Sequence, residues 1–332
     1  MTNELDLRNK QLSEIPEWVR ENSNLEKLYL DDNQLTVLPE WLGELHALTE
    51  LHVDNNQLMA LPESLGRLSH FKTLYVMNNR LRAVPKSLWQ MGSLQRLFIG
   101  GNPLEVLPEE IGNLAELREL YIHSSELTAL PASIGRLTNL HTLDAGHNAI
   151  AALPEEMGQL TNLTHFLYLS NNQLTSVPES LFERLDKLLY LNLTDNQLRT
   201  LPATIGKLVS LRELRLYNNR FVRLPEVLGD LANLRELHLM NNPLDALPEA
   251  LGKLTELTHL DLRNNRLSAL PRSFNGLTSL EFLDLRSNQF TILPDVISEL
   301  PNLKKLDLRW NKLRSVPKWL ERLSERGCVV YR

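Results

Sequence analysis

One unit of about 23 residues recurs fourteen times along this chain, and every copy contains a proline at the same place. A fixed period of this length predicts a solenoid, because each unit is too small to bury a core alone and must stack on its neighbours. We therefore expect a single domain over residues 1–332, with about fourteen repeats and a C-terminal partial strand. The prolines are Pro16, Pro39, Pro62, Pro85, Pro108, Pro131, Pro154, Pro178, Pro202, Pro225, Pro248, Pro271, Pro294 and Pro317.

Each unit contains a strand signal and a short helix signal. In Leu28-Tyr29-Leu30, apolar residues alternate with a variable one, which is the period of a half-buried strand. The proline is usually followed by glutamate, which favours the first turn of a 3₁₀ or short α segment. Stacked units predict an α/β solenoid with one parallel sheet, whose variable residues face solvent on the concave side.

Asparagine occupies the turn after the strand in twelve repeats, and we expect these carboxamides to bridge the backbone groups of neighbouring turns. Lys10 and Ser125 interrupt the series, and the hydroxyl of Ser125 is too short to span the same gap. Glycine follows the helix signal in eight repeats, whereas other residues, such as Trp89, replace it elsewhere. We therefore expect glycine to be preferred there but not geometrically required.

Composition and charge exclude several classes of function. A net charge of −6 offers no basic surface for nucleic acid or an anionic membrane, so we expect neither as a partner. Cys328 is the single cysteine, so no disulfide framework forms within the chain. The sequence enters the first repeat directly from Met1, and no apolar run approaches the roughly 18 residues of a membrane span. These features predict a cytoplasmic protein.

The segment Leu61-Pro62-Glu63-Ser64-Leu65-Gly66-Arg67-Leu68 shows the LPxxLGxL pattern that ends each unit. This pattern resembles the intracellular class of leucine-rich repeats, found in plant intracellular Ras-group-related proteins, in scaffolds of the Scribble and Erbin type and in bacterial proteins. The resemblance covers nearly the whole chain and implies a right-handed leucine-rich repeat solenoid, curved like a horseshoe, with short 3₁₀ or α segments on its convex side. It also implies protein recognition on the concave face, often in signalling.

No motif in the sequence carries catalytic chemistry. A nucleophile elbow and a phosphate-binding loop are both absent from the sequence. His259 with Asp261, and His123 with His147, supply only two candidate ligands each, which is fewer than a stable metal site needs. We therefore expect no enzyme activity, no cofactor and no metal.

The variable residue of each strand carries the functional information, because packing does not dictate it. In the first half of the chain this column is aromatic, and aromatic side chains concentrate binding energy in interfaces. Tyrosine also suits strands for its β-propensity alone, but the same column in the second half is polar or charged. We predict a partner-binding belt formed by Tyr29, His52, Tyr75, Phe98, Tyr121, His123 and Tyr168.

A second candidate surface lies near the C-terminal end, where an aspartate column runs beside an arginine column. Stacked like charges repel, and the neighbouring opposite column relieves this, so the surface is either self-neutralised or open to a charged partner. Trp310 would anchor such a partner. The candidate binding residues are Arg263, Arg286, Arg309 and Trp310.

These features predict a non-catalytic scaffold that binds a protein partner on its concave face in intracellular signalling. We expect a monomer, with an edge-to-edge dimer through the C-terminal strand as the alternative. A second function remains open: a substrate-recognition module, or a bacterial effector, that acts with an enzyme on another chain. A third is a sensor of carbohydrate or another small ligand, with a shallow pocket at Gly100, Gly101, Ser124 and Gly146.

Overall fold

Each repeat forms a three-residue β-strand, followed in most repeats by a short 3₁₀ helix. The computed structural model describes residues 3–332, and the chain divides into two units, Met1–Leu163 and Thr164–Arg332. The strands of the first unit are β1 Glu4–Asp6, β2 Lys27–Tyr29, β3 Glu50–His52, β4 Thr73–Tyr75, β5 Arg96–Phe98, β6 Glu119–Tyr121 and β7 Thr142–Asp144. Those of the second unit are β8 Phe166–Tyr168, β9 Tyr190–Asn192, β10 Glu213–Arg215, β11 Glu236–His238, β12 His259–Asp261, β13 Phe282–Asp284, β14 Lys305–Asp307 and β15 Val329–Tyr331.

The helices are 3₁₀ in thirteen repeats, and one short α-helix follows near the C-terminal end. In the first unit the 3₁₀ helices are Glu17–Glu21, Glu40–Glu44, Glu63–Arg67, Leu88–Gln90, Glu109–Asn113, Ala132–Arg136 and Glu155–Gln159. In the second unit they are Glu179–Phe182, Ala203–Lys207, Glu226–Asp230, Glu249–Lys253, Arg272–Gly276 and Asp295–Glu299, followed by α1 Trp319–Glu325. Within residues 3–332, the helices all fall short of the length and apolar character that crossing a membrane requires.

Within each unit, successive strands pair in parallel and in chain order. The register is set by the repeat, so that Leu5 lies opposite Leu28 in the first unit and Leu214 opposite Leu237 in the second. The predicted partial strand is β15, which pairs with β14. Parallel strands joined by short 3₁₀ turns confirm the predicted fold class.

The core of each unit consists of the leucines that flank the variable strand residue. Leu28 and Leu30 are fully buried, whereas Tyr29 between them is half-buried on the opposite side of the strand. Because burial of these leucines supplies the hydrophobic stabilisation, the variable position is free to serve another purpose.

The asparagine ladder forms as predicted. The side-chain Oδ1 of Asn219 accepts the N–H of Leu198 from the preceding turn at 3.0 Å, and its Nδ2 donates to the carbonyl oxygen of Leu193 at 2.9 Å. Ser125 does not replace this function, since its hydroxyl reaches only the carbonyl oxygen of His123, at 3.5 Å. The N–H of Leu104 donates instead to a carbonyl oxygen within its own turn.

The expectation that glycine is not geometrically required after the helix signal was wrong for most repeats that carry it. A Cβ atom at Gly43 would lie 2.3 Å from the carbonyl oxygen of Ser64, and one at Gly252 would lie 2.0 Å from that of Ser273. Neighbouring 3₁₀ helices therefore approach too closely for any side chain at these positions. The sequence pattern did not reveal this because it carries no information on the spacing between helices.

The glutamate after the proline was predicted only to favour the first turn of its own helix. In the structure it also contacts the next repeat. The carboxylate of Glu40 accepts the backbone N–H of Ser64, at 3.1 Å, and that of Glu249 accepts the N–H of Ser273, at 3.2 Å. Each of these glutamates thus satisfies a free N–H at the start of the next 3₁₀ helix. The glutamate therefore links one repeat to the next.

Candidate functional site

Five consecutive strands of the first unit place an aromatic ring at the same register position on the solvent-facing side of the sheet. The parallel pairing of β2 to β6 aligns their last residues, because each strand is offset from the next by one repeat. We call this set the aromatic belt, and its members are Tyr29, His52, Tyr75, Phe98 and Tyr121.

The rings of the aromatic belt stack on one another. The centroids of His52 and Tyr75 are 4.2 Å apart, as are those of Tyr75 and Phe98, with planes 15° and 10° from parallel. The outer pairs, Tyr29 with His52 and Phe98 with Tyr121, have centroids 4.6 Å apart. Since neighbouring rings fix each other's orientation, the aromatic belt is a preorganised strip, in which Phe98 is buried and the other four rings are half-buried.

Ion pairs border the aromatic belt at its N-terminal end. The guanidinium carbon of Arg8 lies 5.0 Å from the ring centroid of Tyr29, within cation–π range, while its Nη2 pairs with Asp6 at 2.6 Å. The Nε2 of His52 contacts a carboxylate oxygen of Glu50 at 2.7 Å. These contacts hold the first two rings in place.

His123 lies in the column next to the aromatic belt, above Gly100. A Cβ atom at Gly100 would lie 2.7 Å from the carbonyl oxygen of His123 and 3.0 Å from its ring. Glycine therefore makes room for the imidazole, which occupies part of the space that the sequence suggested for a shallow pocket. The His123 Nδ1 also contacts the hydroxyl of Ser124 at 3.2 Å.

Two carboxylates follow β2 and β3 in this same neighbouring column. The Oδ1 of Asp31 accepts the N–H of Asp54 at 2.8 Å, and the Oδ1 of Asp54 accepts the N–H of Met77 at 2.6 Å. Burial raises the pKa of the Asp31 carboxyl, and burial together with the charges of Asp31 and Asp32 raises the pKa of Asp54 to about 6. These two residues were not predicted as a site, although the acids in one column of adjacent repeats are visible in the sequence.

Tyr168 belongs to a different aromatic cluster, in the second unit. Its ring centroid lies 4.8 Å from that of Tyr190 and 5.8 Å from that of Phe166. Phe166 and Tyr190 occupy the first position of their strands, outside the column of last strand residues from which the binding belt was predicted. The guanidinium carbon of Arg215 lies 5.5 Å from the Tyr190 centroid.

The charged columns of the second unit neutralise each other. The Nη2 of Arg286 pairs with Asp284 at 2.5 Å, and the Nε of Arg286 reaches Asp307 at 3.4 Å. Arg309 pairs with Asp307 at 2.6 Å. Burial acts to raise the pKa of Asp307, but hydrogen bonds from Arg309 and the charge of Arg286 outweigh it and leave that pKa below its ordinary value. This geometry agrees with the self-neutralised interpretation of the surface.

Arg263 and Trp310 lie at the two sides of this charged surface. The Nη2 of Arg263 lies 2.8 Å from the sulfur of Met240, and its Nε lies 3.4 Å from Asp261. Trp310 is 70% exposed and adopts a φ of 60°, a left-handed conformation that is strained for a bulky side chain. The guanidinium of Arg309 covers its ring at 5.3 Å.

A further group of ionisable side chains was not anticipated. Ligand atoms of Glu213, Glu236 and His238 lie within 4.8 Å of one another. The Nε of Arg215 donates to Glu213 at 2.5 Å, and His238 contacts Glu236 at 3.2 Å. These ion pairs account for the grouping without a bound cation.

Comparison with known proteins identifies the repeats. A family model described as a leucine-rich repeat region matches residues 105–188 and 226–325, and a leucine rich repeat model matches residues 2–58 and 165–221. The solved structure of a leucine-rich repeat protein from Leptospira interrogans is 33% identical in sequence, covers 99% of this chain and 95% of its own, and has a TM-score of 0.71. None of the curated proteins compared with the chain matches it.

Two other solved structures share the fold. The plant peptide hormone receptor RGFR1, solved in complex with RGF2, is 28% identical over 93% of this chain and 55% of the receptor chain, with a TM-score of 0.73. An internalin of Listeria monocytogenes is 21% identical over 94% of this chain and 88% of its own, with a TM-score of 0.80. Leucine-rich repeats are generally protein-interaction modules and typically non-catalytic. The repeat pattern, the parallel strands and these matches establish that the chain belongs to the leucine-rich repeat family.

Proposed function

We propose that this protein is a non-catalytic scaffold that binds a protein partner through the aromatic belt, on the sheet face that the sequence predicts to be concave. The observation that carries the proposal is the row of five rings in contact on five consecutive strands, four of them stacked and Tyr29 tilted, at a position that the buried leucines leave free. Because the buried leucines already stabilise the fold, we assign this strip of rings to the recognition of a partner.

The physical argument rests on preorganisation. Tyrosine offers a large contact area at a low entropic cost, because it has only two side-chain torsions. Stacking in the free protein has already restricted those torsions, so the side chains of the aromatic belt lose less conformational entropy when a partner binds. Tyr75 and Tyr121 keep polar hydroxyl groups beside apolar rings, the combination that is enriched among interface hot spots.

The comparisons support a protein or peptide as the partner. The receptor that is 28% identical to this chain was solved in complex with RGF2, and its name describes it as a peptide hormone receptor. We extend only the class of ligand to this chain. Because Cys328 is the single cysteine and is buried and unpaired, we further propose that the protein acts in the cytoplasm, in intracellular signalling.

The test compares three immobilised baits: the wild-type chain, the double variant Tyr75→Ala/Tyr121→Ala, and the control His259→Ala/Phe282→Ala. The control removes another stacked pair, whose centroids are 4.3 Å apart, from strands of the second unit. Proteins captured from lysate are quantified by mass spectrometry, and the fold of each bait is checked by circular dichroism.

We expect at least one protein to be captured by the wild-type and control baits and to be depleted tenfold or more on the aromatic belt variant. Equal capture by all three folded baits would mean that the aromatic belt is not the binding surface. Loss of the captured protein on the control bait alone would show that the partner binds to the second unit instead.

A further inference from the structure

The carboxylates beside the aromatic belt lack a directly paired cation. Asp31, Asp32 and Asp54 follow β2 and β3, next to the first three rings of the aromatic belt. Among residues 3–332, none of the three forms an ion pair. Their hydrogen-bond donors are uncharged backbone and amide groups, such as the N–H of Met77 on Asp54.

Three cationic or imidazole groups of the first three repeats have closer partners of their own, although Arg8 and His52 also attract the Asp31 carboxylate from a distance. Arg8 pairs with Asp6 at 2.6 Å, and Lys27 pairs with Glu4 at 2.7 Å. His52 contacts Glu50 rather than Asp31 or Asp54. The surface therefore carries negative charge without a directly paired cation at two half-buried positions, Asp31 and Asp54, and at the exposed Asp32.

This negative charge is unfavourable in the free protein. Burial disfavours the ionised form of Asp54, and the charges of Asp31 and Asp32 add to the effect, while the hydrogen bond from the N–H of Met77 opposes it only in part. A cation from outside would relieve both the burial cost and the repulsion.

The second unit shows how the same fold neutralises such charges when it does so internally. There, each aspartate of the charged column has an arginine two residues later, as in Asp284 with Arg286 and Asp307 with Arg309. Asp6 with Arg8, at the start of the first unit, keeps the Asp–Arg pattern. After β2 and β3 of the same unit, the corresponding neighbours are an aromatic ring and an aspartate, Tyr29 with Asp31 and His52 with Asp54. Neither of these two repeats places an arginine two residues from its aspartate.

The aromatic rings suit such an arginine. Arg8 already places its guanidinium 5.0 Å from the centroid of Tyr29, which shows that the end of the aromatic belt accepts a planar cation. A partner's guanidinium over the next rings would gain cation–π attraction and charge-assisted hydrogen bonds to carboxylates at once.

We propose that the partner is a protein segment that inserts an arginine or lysine side chain against Asp31 and Asp54, along the N-terminal end of the aromatic belt. This inference rests on the proposed function, since it names the chemistry of the partner at that same surface. A bare metal ion fits less well, because one oxygen of each of these two carboxylates already accepts a backbone N–H.

The experiment begins with a random library of 12-residue peptides displayed on phage and selected on the wild-type chain. Selected peptides are synthesised, and their dissociation constants are measured by fluorescence anisotropy. Each arginine is then replaced by citrulline, and each lysine by acetyl-lysine, which removes the charge while keeping the shape.

The matching protein variants are Asp31→Asn/Asp54→Asn and the control Asp186→Asn. Asparagine retains an oxygen that accepts the backbone N–H groups, and Asp186 is an exposed residue outside the strands. We expect peptides that need Tyr75 and Tyr121 to contain arginine or lysine. Neutralising that residue, or the aspartate pair, should weaken binding about tenfold or more, and Asp186→Asn should change it less than twofold.

Belt-dependent peptides that lack a cation, or that bind the asparagine double variant as tightly as wild type, would overturn this inference and leave the proposed function intact. If no selected peptide depends on Tyr75 and Tyr121, both the proposed function and this inference fail.

Discussion

Tyr75 and Phe98 lie in register on adjacent strands, with ring centroids 4.2 Å apart and planes 10° from parallel. On the other side of the same strand, Leu74 is fully buried in the core. Two successive residues thus separate the two tasks of the repeat: Leu74 stabilises the solenoid, and Tyr75 shapes its surface.

This separation predicts that truncating Leu74 and truncating Tyr75 lower the free energy of unfolding by different amounts. Leu74→Ala should lower the free energy of unfolding by about 2–5 kcal/mol, since it leaves a cavity in a packed core. Tyr75→Ala should cost less, because removing a half-buried surface ring leaves no closed cavity; each of its two lost ring pairs is worth about 0.5–1.5 kcal/mol beyond the burial of the ring. Urea unfolding of both variants checks the prediction, and equal costs would show that the aromatic belt is part of the structural core.

The asparagine ladder predicts one loss and one gain of stability. Asn219→Ala should cost about 1–3 kcal/mol, because the N–H of Leu198 and the carbonyl oxygen of Leu193 lose their partner. Ser125→Asn should stabilise the protein by about 1 kcal/mol, by giving the N–H of Leu104 an acceptor from the next repeat. Thermal unfolding measures both, and an unchanged melting temperature for Asn219→Ala would contradict the ladder.

The sequence predicted the repeat, the strands, the asparagine ladder and the columns of surface residues, because each depends on local periodicity. It did not predict the need for Gly43, because the distance between neighbouring 3₁₀ helices is set by stacking and not by pattern. The acidic pair Asp31 and Asp54 was also missed. Its distinguishing property, burial without a cation, depends on where Arg8 and Lys27 place their charges.

The raised pKa of Asp54 predicts how stability depends on pH. The folded protein holds a proton on this carboxyl up to about pH 6, whereas the unfolded chain loses it near its ordinary pKa of 3.8, so stability falls as pH rises between these values. Asp54→Asn removes the cost of the charge, and we expect it to raise stability at pH 7.5 by up to about 1 kcal/mol after allowance for partial solvent screening. Melting temperatures at pH 4 and 7.5 test this, because the gain should vanish at pH 4.

The ion pairs of Arg286 predict the opposite dependence. Arg286→Gln leaves Asp284 and Asp307 less compensated and should cost about 1–3 kcal/mol at pH 7. Because the pKa of Asp307 is lowered in the folded state, its stabilising contribution is present above the ordinary aspartate pKa and is lost as pH falls through the lowered value. The exposed pair of Arg82 with Glu105 supplies the control, since Arg82→Gln should cost less than about 0.5 kcal/mol. Similar costs for the two variants at pH 7 would contradict this account.

The proposal that the aromatic belt binds a protein is tested most directly by the dissociation constant of the captured partner. Isothermal titration calorimetry would compare wild type with the folded double variant Tyr75→Ala/Tyr121→Ala. We predict an affinity at least about 30-fold weaker for the variant, which corresponds to about 2 kcal/mol or more. An unchanged dissociation constant for the folded variant would contradict the proposal and show that the stacked rings serve the solenoid alone.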